Sequence, residues 1–273
     1  MTETPFDLEG RIALVVGGRG YVGREVCSAL SNAGAIVVAA DIQDRSKAAA
    51  GAGSANDTRI EQKIVDVTVA TSIDALVEDM IRTHGGIDAL VYAVTTKPDD
   101  FYKPFTDCSL EGWQAILRTE LDGAFLVTQR VGAAMEPRGG SIVLLGSIYG
   151  VVGNDQRLYE GSNLADAYGA GGAAGRIYAH AAYATAKGGI IALTRFLAAY
   201  WGDRGIRVNC VSPGGVAHPA ENDAFVKRYS ERVPLGRKAA PGDVASAIVY
   251  LSSDAARYVT GHNLLVDGGW TTW

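Results

Sequence analysis

The feature that most restricts the fold is an alternation running almost the whole length of the chain. Seven short apolar runs, rich in β-branched residues, read "RIALVVG", "AIVVAAD", "QKIVDV", "IDALVYAV", "GSIVLLGS", "GIRVNCVS" and "NLLVDGG". Between most of them lie segments with helical spacing. In "YVGREVCSALSNAG", Val22, Val26, Ala29 and Leu30 share a face, and Gly34 is placed to stop the helix. "TSIDALVEDMIRTHGG" has Thr71 or Ser72 as N-cap and closes on glycines. Ser109 to Met135 reads as one long helical segment, "HAAYATAKGGIIALTRFLAAYWG" as another, and "PGDVASAIVYLSS" as a third with Pro241 in its first turn. The first run, "RIALVVG", reads as a strand buried on both faces, and the alternation of strand and helix means parallel strands joined by helical crossovers. The expected architecture is α/β: a doubly wound, mostly parallel seven-stranded sheet, formed by residues 1–273 as a single domain.

One stretch breaks the rhythm. "GVVGNDQRLYEGSNLADAYGAGGAAGRIY", from Gly150 to Tyr178, is rich in Gly and Ala and shows no period. Loops this long within a compact domain are usually functional. The net charge of −5 and the scattered Lys and Arg argue against a nucleic-acid surface. No apolar run reaches the ~18 residues of a membrane span, and the polar, acidic "MTETPFDLEG" is no signal peptide. Cys27, Cys108 and Cys210 are too far apart for metal spacing, and Cys27 and Cys210 read as buried reduced thiols. A cytoplasmic protein is expected.

"VVGGRGYVGRE" joins the first strand to the first helix, with Gly17, Gly20 and Gly23 at three-residue intervals. In that setting glycines let the backbone approach a pyrophosphate, which the helix N-terminus then faces with free N–H groups. Arg19, Tyr21 and Val22 belong to the same turn. Asp41, eighteen residues after Gly23, ends the second strand, with Ile42 next to it. An acid there accepts from both adenosine ribose hydroxyls and repels a 2′-phosphate, which favours NAD over NADP. Arg19 is the opposing signal, since it could pair with that phosphate. Asp66 ends the third strand in "DVT", placed to accept from the adenine amino group while the Val67 N–H meets a ring nitrogen.

"YATAK" sets Tyr183 and Lys187 four apart, on one face of a helix. A phenol with its ordinary pKa of about 10 is a poor base at neutral pH, and a nearby ammonium favours its phenolate. Such a pair can take a proton from an alcohol while hydride leaves the adjacent carbon. Ser147, at the end of the fifth strand, is placed to hydrogen-bond the reacting oxygen, because ligands sit at the carboxyl ends of strands in this architecture.

With these motifs in order, the chain resembles the single-domain branch of the short-chain dehydrogenases/reductases over essentially its whole length. The resemblance rests on the glycine turn, "DVT", "GSIVLLGS", "YATAK", "IRVNCVSPGG" and "YVTGHNLLVDGG". It implies a Rossmann fold, Tyr183 as acid/base, Ser147 as its hydrogen-bonding partner, and Lys187 on the nicotinamide ribose. Pro213, Gly214 and Val216 match the loop that lies against the nicotinamide. The implied activity is NAD(H)-dependent hydride transfer between the nicotinamide and a secondary alcohol or ketone. Two alternatives stay open: nucleotide-sugar epimerase or dehydratase chemistry, whose branch shares this glycine spacing, and a non-catalytic NAD-binding sensor.

Three departures from the family stand out. The usual Asn-Asn-Ala-Gly run is replaced by Tyr92–Thr95, so cofactor contact near Ala93 must come largely from backbone. The usual relay Asn is replaced by Glu120, which is expected to join the relay or pair with Lys187. Ser147 and Tyr183 are separated by a much longer segment than usual. That insertion, at about 150–178, is expected to wall the substrate, with Asn154, Gln156, Arg157 and Tyr159 as polar contacts. "IYGVVGNDQRLYEG" within it resembles a subgroup linked to sugar and surface-glycan modification, which points to a polyhydroxylated substrate. His218 lies in the substrate-side loop where many relatives carry Thr. His84, His180 and His262 read as surface or loop residues, and no metal is expected. The apolar tail with Trp270 and Trp273 points to a homotetramer or homodimer.

Overall fold

The computed structural model describes residues 4–42, 60–168 and 176–273. Its sheet comprises β1 (Ile12–Val16), β2 (Ile36–Asp41), β3 (Ile60–Ile64), β4 (Ala89–Tyr92), β5 (Gly140–Leu145), β6 (Ile206–Pro213) and β7 (Asn263–Val266). All neighbouring strands pair in parallel, in the order β3-β2-β1-β4-β5-β6-β7. The order therefore reverses between β1 and β4, which opens a crevice at the carboxyl ends of those strands.

Alternate residues of each strand point to opposite faces, and each face has its own helices. Ala13 and Val15 of β1 pack with α1 (Tyr21–Asn32) and, farther along the sheet, α8 (Pro241–Ser252). Ile12, Leu14 and Val16 belong to the opposite core, with α2 (Ala70–His84), α4 (Gly123–Met135) and α6 (Ala181–Trp201). Pro241 opens α8, and Gly34 and Gly85 take positive φ just after α1 and α2. β3 is an edge strand. Its Glu61 and Lys63 pair with each other at 2.6 Å, with Lys63 also 2.8 Å from Asp79 and Glu61 3.0 Å from His84.

Several local expectations are corrected. The segment expected as one helix from Ser109 to Met135 is α3 (Leu110–Leu117), a π turn at Arg118–Asp122, and then α4. Neither Thr71 nor Ser72 caps α2; Val69 holds that position, and Ser72 Oγ instead accepts from the Asp66 N–H at 3.0 Å. A helix at Asp223–Ser230, α7 once the short α5 (Leu164–Ala167) is counted, had no assignment from the sequence. His180 is buried, not a surface residue.

Within the stretch without a period, residues 150–168 and 176–178 are described. They form a single turn at Gln156–Tyr159 and then α5. Leu158, Tyr159, Leu164 and Ala165 are buried in a third apolar cluster with Phe101, Tyr102, Phe225, Tyr229 and Trp270. Burial of this kind makes the segment part of the packed body. Leu158→Ala is expected to cost roughly 2–5 kcal/mol, as for other buried large-to-small changes. A denaturant melt indistinguishable from wild type would show that the segment does not support the fold.

Candidate active site

At the crevice, Gly17 has φ +85°, and a Cβ there would lie 2.7 Å from the carbonyl carbon of Ala93, just after β4. A Cβ on Gly23 would lie 2.1 Å from Gly17 O. The turn is therefore folded tightly against both the next strand and its own helix. α1 starts at Tyr21 with Gly20 as N-cap, without a capping side chain and without an acid in its first turn. Its first N–H groups are left for an anion.

Asp41 is nearly buried at the end of β2. One carboxylate oxygen accepts from the Arg19 N–H at 3.0 Å and the other from the Ile42 N–H at 2.8 Å. A carboxylate offers about four acceptor positions, so two vicinal hydroxyls can still be held. The Arg19 side chain turns to Gln62, with Nε donating to Oε1 at 3.0 Å. Asp66 Oδ1 accepts from the N–H and hydroxyl of Thr68, which orients its carboxylate beside Val67. A backbone cradle, an open helix N-terminus and an acid at the end of β2 are the donor set a nicotinamide dinucleotide requires, and the residues present fit it.

At the carboxyl end of β5, Ser147 begins a single turn, and its Oγ accepts from the Tyr149 N–H at 3.2 Å. α6 starts across from it. His180 caps this helix, its Nδ1 accepting from the Ala182 N–H at 3.1 Å, and Tyr183 and Lys187 follow one turn apart. Lys187 Nζ donates to Leu145 O at 3.1 Å and lies 5.5 Å from the centre of the Tyr183 ring. Glu120 Oε2 is 3.0 Å from the same ammonium, and the two side chains are only 0% and 5% exposed. The contact is a charge pair without hydrogen-bond alignment on Oε2. Oε1 accepts from Thr95 Oγ1 at 2.7 Å and from the Thr96 N–H at 3.3 Å.

Two sequence departures thus meet. The replaced run after β4 supplies Thr95, and the replaced relay position supplies Glu120. The π turn at Arg118–Asp122 places Glu120 between them, and such turns recur at functional sites. Burial presses the Lys187 ammonium towards neutrality, but Glu120 and Tyr183 outweigh it, and its pKa stands above the usual lysine value. Burial raises the Tyr183 phenol, Lys187 and the Ser147 hydrogen bond draw it down, and Glu120 adds to the rise. The net position is above the ordinary tyrosine value.

The structure distributes the expected substrate contacts unevenly. Gln156 is tied to the backbone of Ala179, accepting its N–H at 2.9 Å. Arg157 is exposed and paired with Asp155 at 2.9 Å. Tyr159 is buried and donates its hydroxyl to Tyr149 at 3.2 Å. Asn154 Nδ2 is buried and meets no acceptor among the described residues. Beyond Pro213, Gly214 N bonds Val266 O, and Val216 bridges to Ala239. His218 lies between two tyrosine rings, 4.7 Å from Tyr21 and 5.0 Å from Tyr168.

Sequence reading missed Tyr149, Thr95, Tyr168 and the buried pair of Lys238 and Glu221. Tyr149 lies two residues from Ser147 and could have been flagged. The pair, at 2.6 Å, joins residues 17 apart in chain order and left no local signal.

The chain matches the family model described as enoyl-(acyl carrier protein) reductase over residues 19–165 and 160–271. It is 32% identical over 272 residues to the D-threitol dehydrogenase of Mycolicibacterium smegmatis, covering 97% of this chain and 95% of that protein. A short-chain dehydrogenase from Leptospira borgpetersenii with bound NAD+ superimposes with a TM-score of 0.84 at 29% identity, covering 99% of this chain and 96% of that one. A gluconate 5-dehydrogenase from Burkholderia cenocepacia, in complex with NADP and tartrate, gives 0.80 at 28% identity and covers 98% of each chain. The chain belongs to the short-chain dehydrogenase/reductase family and is an oxidoreductase acting on alcohol or ketone groups with a nicotinamide cofactor.

Removing one partner of a buried ion pair is far more costly than removing an exposed one. Glu120→Ala is expected to lower stability by roughly 3–5 kcal/mol, because it leaves the Lys187 ammonium buried without a counter-charge. A chemical denaturation midpoint equal to wild type would show that the pair contributes nothing.

Proposed function

We propose that this chain is a cytoplasmic NAD(H)-dependent dehydrogenase that interconverts a secondary hydroxyl and a ketone on a polyol or sugar-like substrate. The observation that carries the reading is the convergence of Ser147, Tyr183 and Lys187 just beyond β5, with Glu120 behind the lysine at 3.0 Å. A bound nicotinamide supplies the hydride acceptor. Tyr183 takes the hydroxyl proton as the carbinol carbon becomes a carbonyl, and returns it in the reverse direction. Ser147 holds the reacting oxygen. Lys187 stabilises the phenolate and offers its ammonium to the ribose. Glu120 fixes that ammonium, and Thr95 fixes Glu120, so both act through Lys187 on Tyr183.

NAD is the favoured cofactor because Asp41 would face a 2′-phosphate, while Arg19 is engaged by Gln62. Gly17, Gly20, Tyr21, Val22 and Gly23 hold the pyrophosphate, Asp66 and Val67 the adenine, and Ala93, Pro213, Gly214 and Val216 the nicotinamide side. The D-threitol and gluconate activities of relatives support a polyhydroxylated substrate. The resemblance of the segment at 150–178 to a glycan-linked subgroup points the same way. Cys27, Cys108 and Cys210 are free thiols, as suits a reducing compartment, and no helix among the described residues is long and apolar enough to cross a membrane. Residues 1–273 are read as one domain that assembles as a homotetramer or homodimer. Support for assembly comes from Trp273, 81% exposed, and from the exposed, stacked pair Phe196 and Tyr200 on α6. A monomeric mass by light scattering would overturn this part.

The deciding measurement follows NADH and NADPH formation in parallel with tetritols, hexitols, aldonates and simple secondary alcohols. Turnover is expected with NAD and a polyol or sugar acid, and Tyr183→Phe is expected to reduce it by about 10²–10⁴-fold while NADH still binds. Retained turnover in that variant would remove Tyr183 from the mechanism. In Glu120→Gln the alkaline rise of the oxidation rate should shift, since the carboxylate that raises the Tyr183 pKa and holds the Lys187 ammonium against burial is gone. Unchanged pH profiles in both Glu120→Gln and Glu120→Ala would exclude Glu120 from the relay.

A further inference from the structure

Tyr21 occupies a place of unusual reach. It is the first residue of α1, at the carboxyl end of β1, yet its hydroxyl donates to Ala217 O at 2.9 Å and its ring meets His218. Ala217 and His218 follow β6. In the sheet β6 stands three strands from β1, with β4 and β5 between them. At ~4.8 Å per strand this is a span of roughly 14 Å. All of these strands run in parallel, so the contact with Tyr21 brings the segment 214–222 from the carboxyl end of β6 towards the carboxyl ends of β4 and β1. Those ends bound the crevice described above.

The segment is anchored on two further sides. Ala217 N donates to Ala239 O at 2.8 Å, and Ala239 N to Gly215 O at 2.9 Å, just ahead of α8. On the substrate side, Asn163 Nδ2 donates to Ala220 O at 2.7 Å and Asn163 Oδ1 accepts from the Asn222 N–H at 2.8 Å. Tyr168 also meets the His218 ring, at 5.0 Å between centroids, and its hydroxyl donates to Glu221 Oε1 at 2.9 Å. Glu221 is fixed by Lys238, and both side chains are buried. Its other oxygen accepts from the His218 N–H at 3.2 Å. His218 is therefore the point where the glycine turn, the segment after β6 and the long segment before α6 meet.

We propose that Tyr21 and Tyr168 are positioning residues which, through His218, hold the segment 214–222 as a strap across the dinucleotide crevice. Release of the cofactor and loosening of the substrate wall then become one event. The proposal rests on the reading that the nucleotide lies in that crevice. It explains why an aromatic side chain stands at position 21, where a smaller residue would suffice for the turn alone.

The test is stopped-flow NADH dissociation, read by nucleotide fluorescence, in wild type, Tyr21→Phe, Tyr168→Phe and His218→Ala, with the exposed Tyr258→Phe as control. Each phenylalanine variant loses one hydroxyl bond, and His218→Ala loses both ring contacts and its bond from the Ala220 N–H; each is expected to release NADH at least about tenfold faster. The control should be unchanged, and the melting temperatures of the phenylalanine variants should stay near wild type. Tyr168→Phe is the decisive arm, because Tyr168 lies in the substrate-side segment and would affect release only through the strap. If its dissociation rate is within twofold of wild type, the strap is overturned whatever Tyr21→Phe does. A wild-type protein that binds neither NADH nor NADPH would instead overturn the proposed function itself.

Discussion

An ammonium buried under the end of a parallel sheet needs a counter-charge, and much of the local structure is arranged to supply one. Lys187 lies 3.0 Å from Glu120, and neither side chain is appreciably exposed. Desolvating two such groups costs several kcal/mol each, which their attraction offsets only if their remaining bonds are also made. Leu145 O takes one bond from Lys187, and Thr95 and Thr96 donate to Glu120. The π turn between α3 and α4 carries Glu120 into the core, where Tyr92 on the neighbouring strand also bonds to the turn at Thr119 O. The constellation around Tyr183 is therefore tuned by a near-neutral pair more than by a lone cation.

This arrangement shows which features were legible in the sequence. Strand number and parallel pairing were legible in seven runs alternating with helices, most clearly where a central strand buried on both faces leaves a continuous apolar signal, whereas the strand order was not read from the sequence. Ser147, Tyr183, Lys187 and Asp41 were legible because their spacing relative to strand ends is set by the chain itself. Glu120 could be flagged as a departure, but its partner Thr95 could not, since their proximity depends on a π turn with no separate sequence signature. The capping of α2 was misread for a related reason. Ser72 lies three residues past the N-cap Val69 and finds the Asp66 N–H, so a good capping residue served a neighbouring loop.

The segment at 150–178 was legible only as an irregularity. Its apolar residues are too sparse to show a period, yet Leu158, Tyr159, Leu164 and Ala165 are buried against α7 and the tail. Its role is set by long-range packing with Phe225, Tyr229 and Trp270, residues more than fifty positions away. The buried Glu221–Lys238 pair is hidden in the same way, each partner reading locally as an ordinary surface charge.

The charged rim of β3 has a consequence for how copies of this chain can meet. Edge strands are natural templates for another strand, and charges along them block that route. A newcomer pairing with β3 would have to separate Glu61 and Lys63 from Asp79 and His84 while burying them. Continuation of the described sheet is thus disfavoured on that side. Among the described residues, the charges at that margin disfavour growth of an assembly in a direction that the backbone alone would leave open.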